Sequence, residues 1–458
     1  MRDWPRAALV CSLLVGVFFG YGHVWNAVGD IIRLHRYLLA ASAVLLLVGL
    51  VVAWRMRPGT LRTVTATANV ASVVLVGLNV VPIIGFQLHG VVAASSVTPS
   101  QATATAEIPP HRPDIYYLIL DRYGAADTLD RIYRLDNSPF LHELERRGFY
   151  VADDSAANYV KTALSLASSL NMDYLDLPAL EAQAQSPDDW TPIYRMMSGA
   201  EAVQTFVKSR GYAYIHLGSP FSFTATNSAA DLNVRRTEQS EFVDVLLDTT
   251  IMRAASSLLP DETADRFKRF WLFTTYQLDR LEDVTRQPGP KFVFAHVTLP
   301  HPPYVFDREG NFVPEAQQKQ RGREQGFREQ VEYANVRILA LLDILLSRPE
   351  GERPIVIIQA DEGPYPIRSY SDGFDWPTAS EAELQEKYRI LNAYYLPGVE
   401  ISDLYPSISP VNSFRVVFNA YFEAGLPLLA DRSYVFTDSK HIYTAVDVTD
   451  KVAGVTSR

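Results

Sequence analysis

Three short runs of this chain lead into side chains that can bind a cation or move a proton. Asp114-Ile-Tyr-Tyr-Leu-Ile-Leu is followed by Asp121. Lys291-Phe-Val-Phe-Ala-His-Val holds His296 and continues to His301, and Pro354-Ile-Val-Ile-Ile-Gln-Ala ends on Asp361-Glu362. Each run is continuously apolar, the pattern of a strand buried on both faces of a parallel sheet. Open α/β sheets bind their ligands beyond the carboxyl ends of such strands. One Asp after a strand commonly caps the next helix. Three strands ending in carboxylates and imidazoles argue for a shared site.

A hydroxyl follows in Asn158-Tyr-Val-Lys-Thr-Ala-Leu-Ser-Leu-Ala-Ser-Ser-Leu170. Ala163, Leu166, Ala167 and Leu170 have helical spacing, which puts Thr162 at the N-cap. Periodicity supports two readings of Thr162 equally. It is a cap worth about 1 kcal/mol, or a nucleophile beside the anion site that a helix N-terminus creates.

The elements that must hold these groups alternate. Gly211-Tyr-Ala-Tyr-Ile-His-Leu is a fourth candidate strand, and helical periodicity marks Pro139–Arg147, Ala163–Leu170, Ala200–Ser209 and Gln325–Leu346. Strands alternating with amphipathic helices predict an α/β sheet covered on both faces. Residues 175–290 are richer in helix and loop signals and read as an insertion within a domain spanning 114–445. Residues 87–113, rich in Ala, Ser, Thr and Pro, have linker composition.

Ahead of that linker the chain is apolar. Ala7–Trp25, Tyr37–Trp54 and Val64–Phe86 each lack Asp, Glu, Lys and Arg. Each is roughly 18 residues or more, enough to span a bilayer as a helix. About three transmembrane helices within residues 1–86 are expected, with the first also readable as a signal-peptide core. Arg2 and Arg6 precede the first span, and Arg55, Arg57 and Arg62 separate the second from the third. The positive-inside rule then puts the N-terminus in the cytoplasm and everything after Phe86 outside, in the manner of a multi-pass inner-membrane protein. Residues 1–62 hold seven arginines and two acids, and the whole chain is −10, so the remainder is net −15. An acidic domain argues against nucleic-acid binding and suits a bound cation. The one cysteine, Cys11, excludes an intrachain disulfide framework and a cysteine metal site.

The ordered pattern of strand-Asp121, Asn158-x-x-x-Thr162-x-x-Ser-Leu-x-Ser, His296-x-x-x-Pro-His301 and Val-Ile-Ile-x-x-Asp361 resembles the sulfatase/alkaline phosphatase superfamily. It is most similar to the membrane-embedded branch that includes lipoteichoic acid synthases and phosphoethanolamine transferases. The resemblance covers residues 114 to about 435 and implies an alkaline-phosphatase-like sheet with helices on both faces. It implies that Thr162 takes a phosphoryl group from a lipid. It also implies one divalent cation held by Asp121, Thr162 and an Asp-His pair, which here reads Asp361-Glu362. Glu362 would make that set all-oxygen, favouring Mn²⁺ or Mg²⁺, with Ca²⁺ and Zn²⁺ as further options. His301 matches the position that contacts phosphate or leaving group. His296 reads equally as a ligand and as a structural histidine; with Lys161 and Asn158 it is a substrate-binding candidate.

Formylglycine-dependent sulfatases carry Cys/Ser-x-Pro-x-Arg, and Thr162-Ala-Leu-Ser-Leu has neither that Pro nor that Arg. The expected activity is therefore transfer or hydrolysis of a phospho-alcohol head group, with a membrane lipid as donor and a lipid, a glycan or water as acceptor. The alternatives are a catalytically degenerate domain acting as an envelope binding module, which Glu362 in place of His would explain, and a sulfuric or phosphoric ester hydrolase.

Overall fold

The computed structural model describes residues 4–32, 35–70, 72, 112–199, 201–236, 249–256, 265–366, 376–399 and 402–453. They fall into two units, Met1–Ala102 with Thr237–Asp265, and Thr103–Arg236 with Arg266–Arg458.

In the first unit, α1 (Trp4–Ile32) and α2 (His35–Arg55) form an antiparallel hairpin. Arg6 near the start of α1 donates to the Ala53 and Met56 carbonyls at the end of α2, at 3.2 and 3.1 Å. At the other end the His35 ring stacks on Trp25 with centroids 3.6 Å apart. Among the described residues, Trp4–Val28 and His35–Arg55 are long and apolar enough to cross a membrane. Residues 58–70 are also helical. Almost all the rest of the third expected span, and of the 87–113 linker, lies outside the described residues. Residues 249–256 return to the hairpin, where the Ile251 amide donates to Phe18 O at 2.9 Å and Arg253 to Asn26 at 2.7 Å.

The second unit is built on a seven-stranded sheet in the order β2-β7-β6-β1-β5-β3-β4. Its strands are β1 (Ile115–Leu120), β2 (Tyr150–Val151), β3 (Ala213–Leu217), β4 (Leu232–Val234), β5 (Lys291–Val297), β6 (Ile355–Gln359) and β7 (Asn392–Tyr395). β6, β1, β5, β3 and β4 are parallel, whereas β7 and β2 complete one edge in antiparallel pairing. Every residue of β1, β5 and β6 is buried, so both faces of the sheet centre are covered. The three strands that lead to the chemical groups are thus the three central neighbours. The stretch read as an insertion, 175–290, is not helical throughout. It supplies β3 and β4 to this sheet, while the described residues 249–256 within it cluster with the first unit.

Helices pack these strands. In α3 (Thr162–Asn171) the apolar positions face the core, and its three buried serines are all hydrogen-bonded. Ser165 donates to Asp361 O at 2.6 Å, tying α3 to the chain beyond β6, and Ser169 accepts from Tyr117 of β1 at 3.2 Å. α4 (Ala202–Ser209) lies beside β3 in chain order, α5 (Arg266–Val284) precedes β5, and α6 (Glu315–Leu346) links β5 to β6. α7 (Glu381–Tyr388) starts with a Ser380/Glu383 capping box. α8 (Pro410–Phe422) sets Phe414 edge-on to Tyr117, with centroids 4.9 Å apart.

Ahead of α4, buried Glu201 accepts from Asn227 Nδ2 at 2.9 and 3.1 Å. Burial pushes its carboxyl up to about 8. The folded chain thus holds a proton that the unfolded chain releases near pH 4. This contribution is complete below that pH and is lost as pH rises towards 8. Glu201→Gln should therefore flatten the fall in melting temperature between pH 5 and 8, as read by thermal melts of both proteins across that range. Parallel melting curves would contradict this account of Glu201.

Candidate functional site

At the carboxyl ends of β1, β5 and β6, ligand atoms of Asp121, His296 and Asp361 lie within 4.8 Å of one another, and all three residues are buried. His296 Nε2 is 3.3 Å from Asp121 Oδ2. Both Asp121 oxygens, Asp361 Oδ2 and His296 Nε2 carry no hydrogen bond. Buried polar atoms are normally satisfied, and four orphaned ones converging on a point fit a divalent cation. Asp121, His296 and Asp361 could hold that ion.

The imidazole is aimed by its other nitrogen. His296 Nδ1 is 3.1 Å from the Thr224 hydroxyl, which is 2.5 Å from Ser219 Oγ. Metal-binding histidines are commonly oriented through a partner of this kind. Burial opposes ionisation of Asp121, but His301, His296 and Arg122 outweigh it and hold its carboxyl well below the usual range. Asp361 goes the other way. Burial first, then the Asp121 and Glu362 charges, raise it to about 7. Two carboxylates this close resist joint ionisation until a cation joins them.

Thr162 begins α3 as its first helical residue, and Lys161 occupies the N-cap, one position earlier than the periodicity puts it. No side chain caps this helix, so its first-turn amides are available to an anion. The Thr162 hydroxyl neighbours the Asp361 carboxyl, whose pKa it lowers, and the residue is only half-buried. The structure thus brings together Asp121, Thr162 and Asp361 of the expected cation set and adds His296.

Glu362 has other partners. Its Oε1 is 2.7 Å from Lys387 Nζ and 3.5 Å from Arg122 Nε, and its Oε2 accepts from the Lys161 amide at 2.5 Å. Where the sequence suggests an all-oxygen set, an imidazole nitrogen stands in the cluster and Glu362 is engaged by Lys387 and Arg122. Burial pushes the Lys387 ammonium down, against the pull of Glu362. Burial likewise lowers Lys161. The Tyr365 ring lies under all three cations, its centroid 3.5 Å from Lys387 Nζ, 4.2 Å from Arg122 Cζ and 5.0 Å from Lys161 Nζ.

Asn158 requires a second correction. It is fully buried, its Nδ2 donates to Ser409 Oγ at 3.0 Å and Arg432 O at 2.9 Å, and its Oδ1 accepts from the Val411 amide at 2.9 Å. These bonds tie the loop before α3 to α8 and leave no group for a substrate. His301 lies against Phe221, with centroids 5.1 Å apart, and its Nδ1 meets the Pro302 carbonyl. A carbonyl only accepts, so Nδ1 carries the proton and a neutral ring keeps Nε2 as an acceptor. Burial pushes the His301 imidazole down to about 4, which keeps it neutral.

Arg122, Lys387, Tyr365 and Thr224 were not singled out from the sequence. Arg122 had a signal, since it directly follows Asp121. Lys387 and Thr224 had none, because each reaches the site from an element with no chemical motif of its own.

No family model and no curated protein matches the chain; solved structures do. The C-terminal periplasmic domain of EptC from Escherichia coli, in complex with zinc, aligns at 12% identity over 78% of this chain and 99% of that one, with a TM-score of 0.50. The integral membrane lipooligosaccharide phosphoethanolamine transferase A (EptA) of Neisseria meningitidis aligns at 14% identity over 84% of this chain and 69% of that one, with a TM-score of 0.43. An alkaline phosphatase superfamily protein from Vibrio parahaemolyticus aligns at 13% identity over 72% and 74%, with a TM-score of 0.40. At such identities the EptC likeness establishes the fold, which is of the sulfatase/alkaline phosphatase type.

Proposed function

We propose that this chain is a membrane-anchored, cation-dependent enzyme that transfers or hydrolyses phospho-alcohol head groups of envelope lipids or glycans through Thr162. One observation carries the reading. A half-buried threonine at an uncapped helix N-terminus stands beside Asp361, next to a buried Asp/His/Asp cluster in which four polar atoms carry no hydrogen bond. The mixed nitrogen and oxygen donors suit Mn²⁺ or Zn²⁺. When bound, the cation supplies charge neutralisation at the phosphoryl oxygens and lowers the pKa of the hydroxyl.

The residues divide the remaining work. Thr162 Oγ attacks phosphorus as its proton passes to the adjacent Asp361 carboxylate. The phosphorus–oxygen bond to the lipid alcohol breaks, the departing oxygen takes a proton from solvent, and the phospho-alcohol stays on Thr162 as a phosphodiester. The α3 amides hold the non-bridging oxygens as charge develops. His301, neutral with Nε2 bare, takes the proton of the incoming alcohol or water. His301→Ala should slow turnover by about 10²–10⁴-fold with cation content unchanged. Loss of the cation in that variant, measured by elemental analysis, would assign His301 to the cluster instead.

Anchoring by the N-terminal helices would keep this chemistry near a leaflet. A reporter fused to the C-terminus should be active outside the cytoplasm and silent within it, as the arginine distribution requires. The function itself is tested by intact mass after incubation with membrane lipids, where a covalent adduct on wild type identifies the transferred group.

A further inference from the structure

The chain leaves the second unit after β4 and re-enters it at α5, and both junctions are basic. Arg235 and Arg236 directly follow Val234, the last residue of β4. α5 opens with Arg266-Phe-Lys-Arg-Phe-Trp271. Its first six residues carry three cations and no acid, in a chain whose residues beyond 62 sum to −15. The acids of α5, Asp279, Glu282 and Asp283, stand at its far end. Between the two junctions, residues 249–256 belong to the membrane hairpin. Ile251 is bonded to Phe18 and Arg253 to Asn26, and Ala254 is buried with Tyr21 of α1 and Leu38 of α2. Residues 257–265 are all that separate Ser256 from the start of α5 in the chain.

The side chains at the start of α5 combine charge with aromatic surface. Lys268 Nζ lies 4.3 Å from the Trp271 ring centroid and 4.7 Å from that of Phe312, and Arg266 Cζ lies 4.6 Å from that of Phe267. The Trp271 ring is fixed, because its Nε1 donates to Gly310 O at 3.0 Å. All three rings are half-buried and pack against the core. Basic groups carried on aromatic rings at a surface suit a bilayer interface, where ammonium and guanidinium meet phosphate and the rings meet the layer beneath.

We propose that the first two turns of α5 are a membrane-surface contact that binds anionic lipid head groups through Arg266, Lys268 and Arg269. This rests on the reading of α1 and α2 as a membrane hairpin and is independent of Thr162 and the cation cluster. Charge complementarity names the lipid class, since a juxtamembrane basic cluster is drawn to an anionic leaflet. Continuity names the surface, since the chain enters α5 directly from a segment packed on the hairpin. A second attachment beside a first acts at high effective concentration, so three cations suffice where they would bind a distant bilayer weakly.

The test places full-length protein in nanodiscs of phosphatidylcholine, with or without phosphatidylglycerol, and labels its lysines with an amine-reactive ester read site by site by mass spectrometry. Lys440, exposed in the turn after Asp438, normalises the reagent. Lys268 should label about fivefold or more slowly when phosphatidylglycerol is present, and high salt should abolish the difference. Arg266→Gln/Arg269→Gln should lose most of that protection, whereas Arg266→Lys/Arg269→Lys should keep it, with melting temperatures showing that both fold. Equal Lys268 rates in the two discs overturn the contact and leave these cations to the acids that precede them, Asp261, Glu262 and Asp265. Protection that survives in full in Arg266→Gln/Arg269→Gln overturns the assignment to this cluster. Failure of the full-length protein to enter discs of either kind removes the hairpin reading instead. Labelling of the same protein beside free phosphatidylglycerol vesicles then decides the α5 contact on its own.

Discussion

Thr162→Ala should fold, load its cation and bind lipid, yet form no covalent adduct and turn over at least about 10³-fold more slowly than wild type. The stability half of this expectation follows from the helix terminus. No side chain caps α3, so the Thr162 hydroxyl contributes no capping bond that alanine would lose. The position is half-buried, and substitutions there usually stay within about 1 kcal/mol. The kinetic half follows from the neighbours. Thr162 is the hydroxyl whose side chain reaches the Asp361 carboxyl, and alanine leaves the cluster no nucleophile in that place. Thr162→Ser keeps the oxygen and should retain part of the rate. Paired intact-mass and head-group exchange assays decide the matter. An adduct that survives Thr162→Ala moves the nucleophile elsewhere. Equal cellular function in both proteins with no adduct in either makes the domain a binding module.

The sheet centre was legible because its strands are apolar on both faces, and β1, β5 and β6 advertise themselves as unbroken runs. β2 and β7 did not, since two- and four-residue edge strands carry no periodic signal. Site residues that end a central strand were legible for the same reason, as with Asp121 and Asp361. Glu362 was harder. Adjacency to Asp361 suggested a second ligand, but its orientation depends on Lys387, which arrives on α7 through the close approach at Gly363. His296 looked ambiguous because a strand histidine becomes a ligand only when its other nitrogen is held, here by Thr224. Asn158 fitted a motif, yet three of its side-chain hydrogen bonds join parts of the chain separated by about 250 residues or more, which no local pattern encodes.

Asp361→Asn should have opposite effects on stability in the presence and absence of cation. Without cation, the carboxyl is buried beside Asp121 and Glu362 and is raised to about 7. The folded state then holds a proton that the unfolded state releases near pH 4. The resulting stability is present below that pH and lost as pH climbs through 7. Asparagine has no charge to bury, so at pH 8 the cation-free variant should melt above cation-free wild type. With cation the order reverses. Both carboxylates are then wanted as anions, and wild type gains RT ln(1 + [L]/Kd) of stabilisation from the bound ion. The variant loses a charged ligand, which should weaken cation affinity by more than about 10²-fold, beyond the 10–100-fold that loss of a supporting partner alone produces. Turnover should fall in step and partly recover at high Mn²⁺. The measurement is a set of melting curves at pH 8 for both proteins, with chelator and with a Mn²⁺ or Zn²⁺ titration. A wild-type melting temperature indifferent to chelator and to both ions would remove the cation from this site. A variant that gains as much as wild type from added ion would remove Asp361 from its ligands, leaving its partnerless oxygen to another cause.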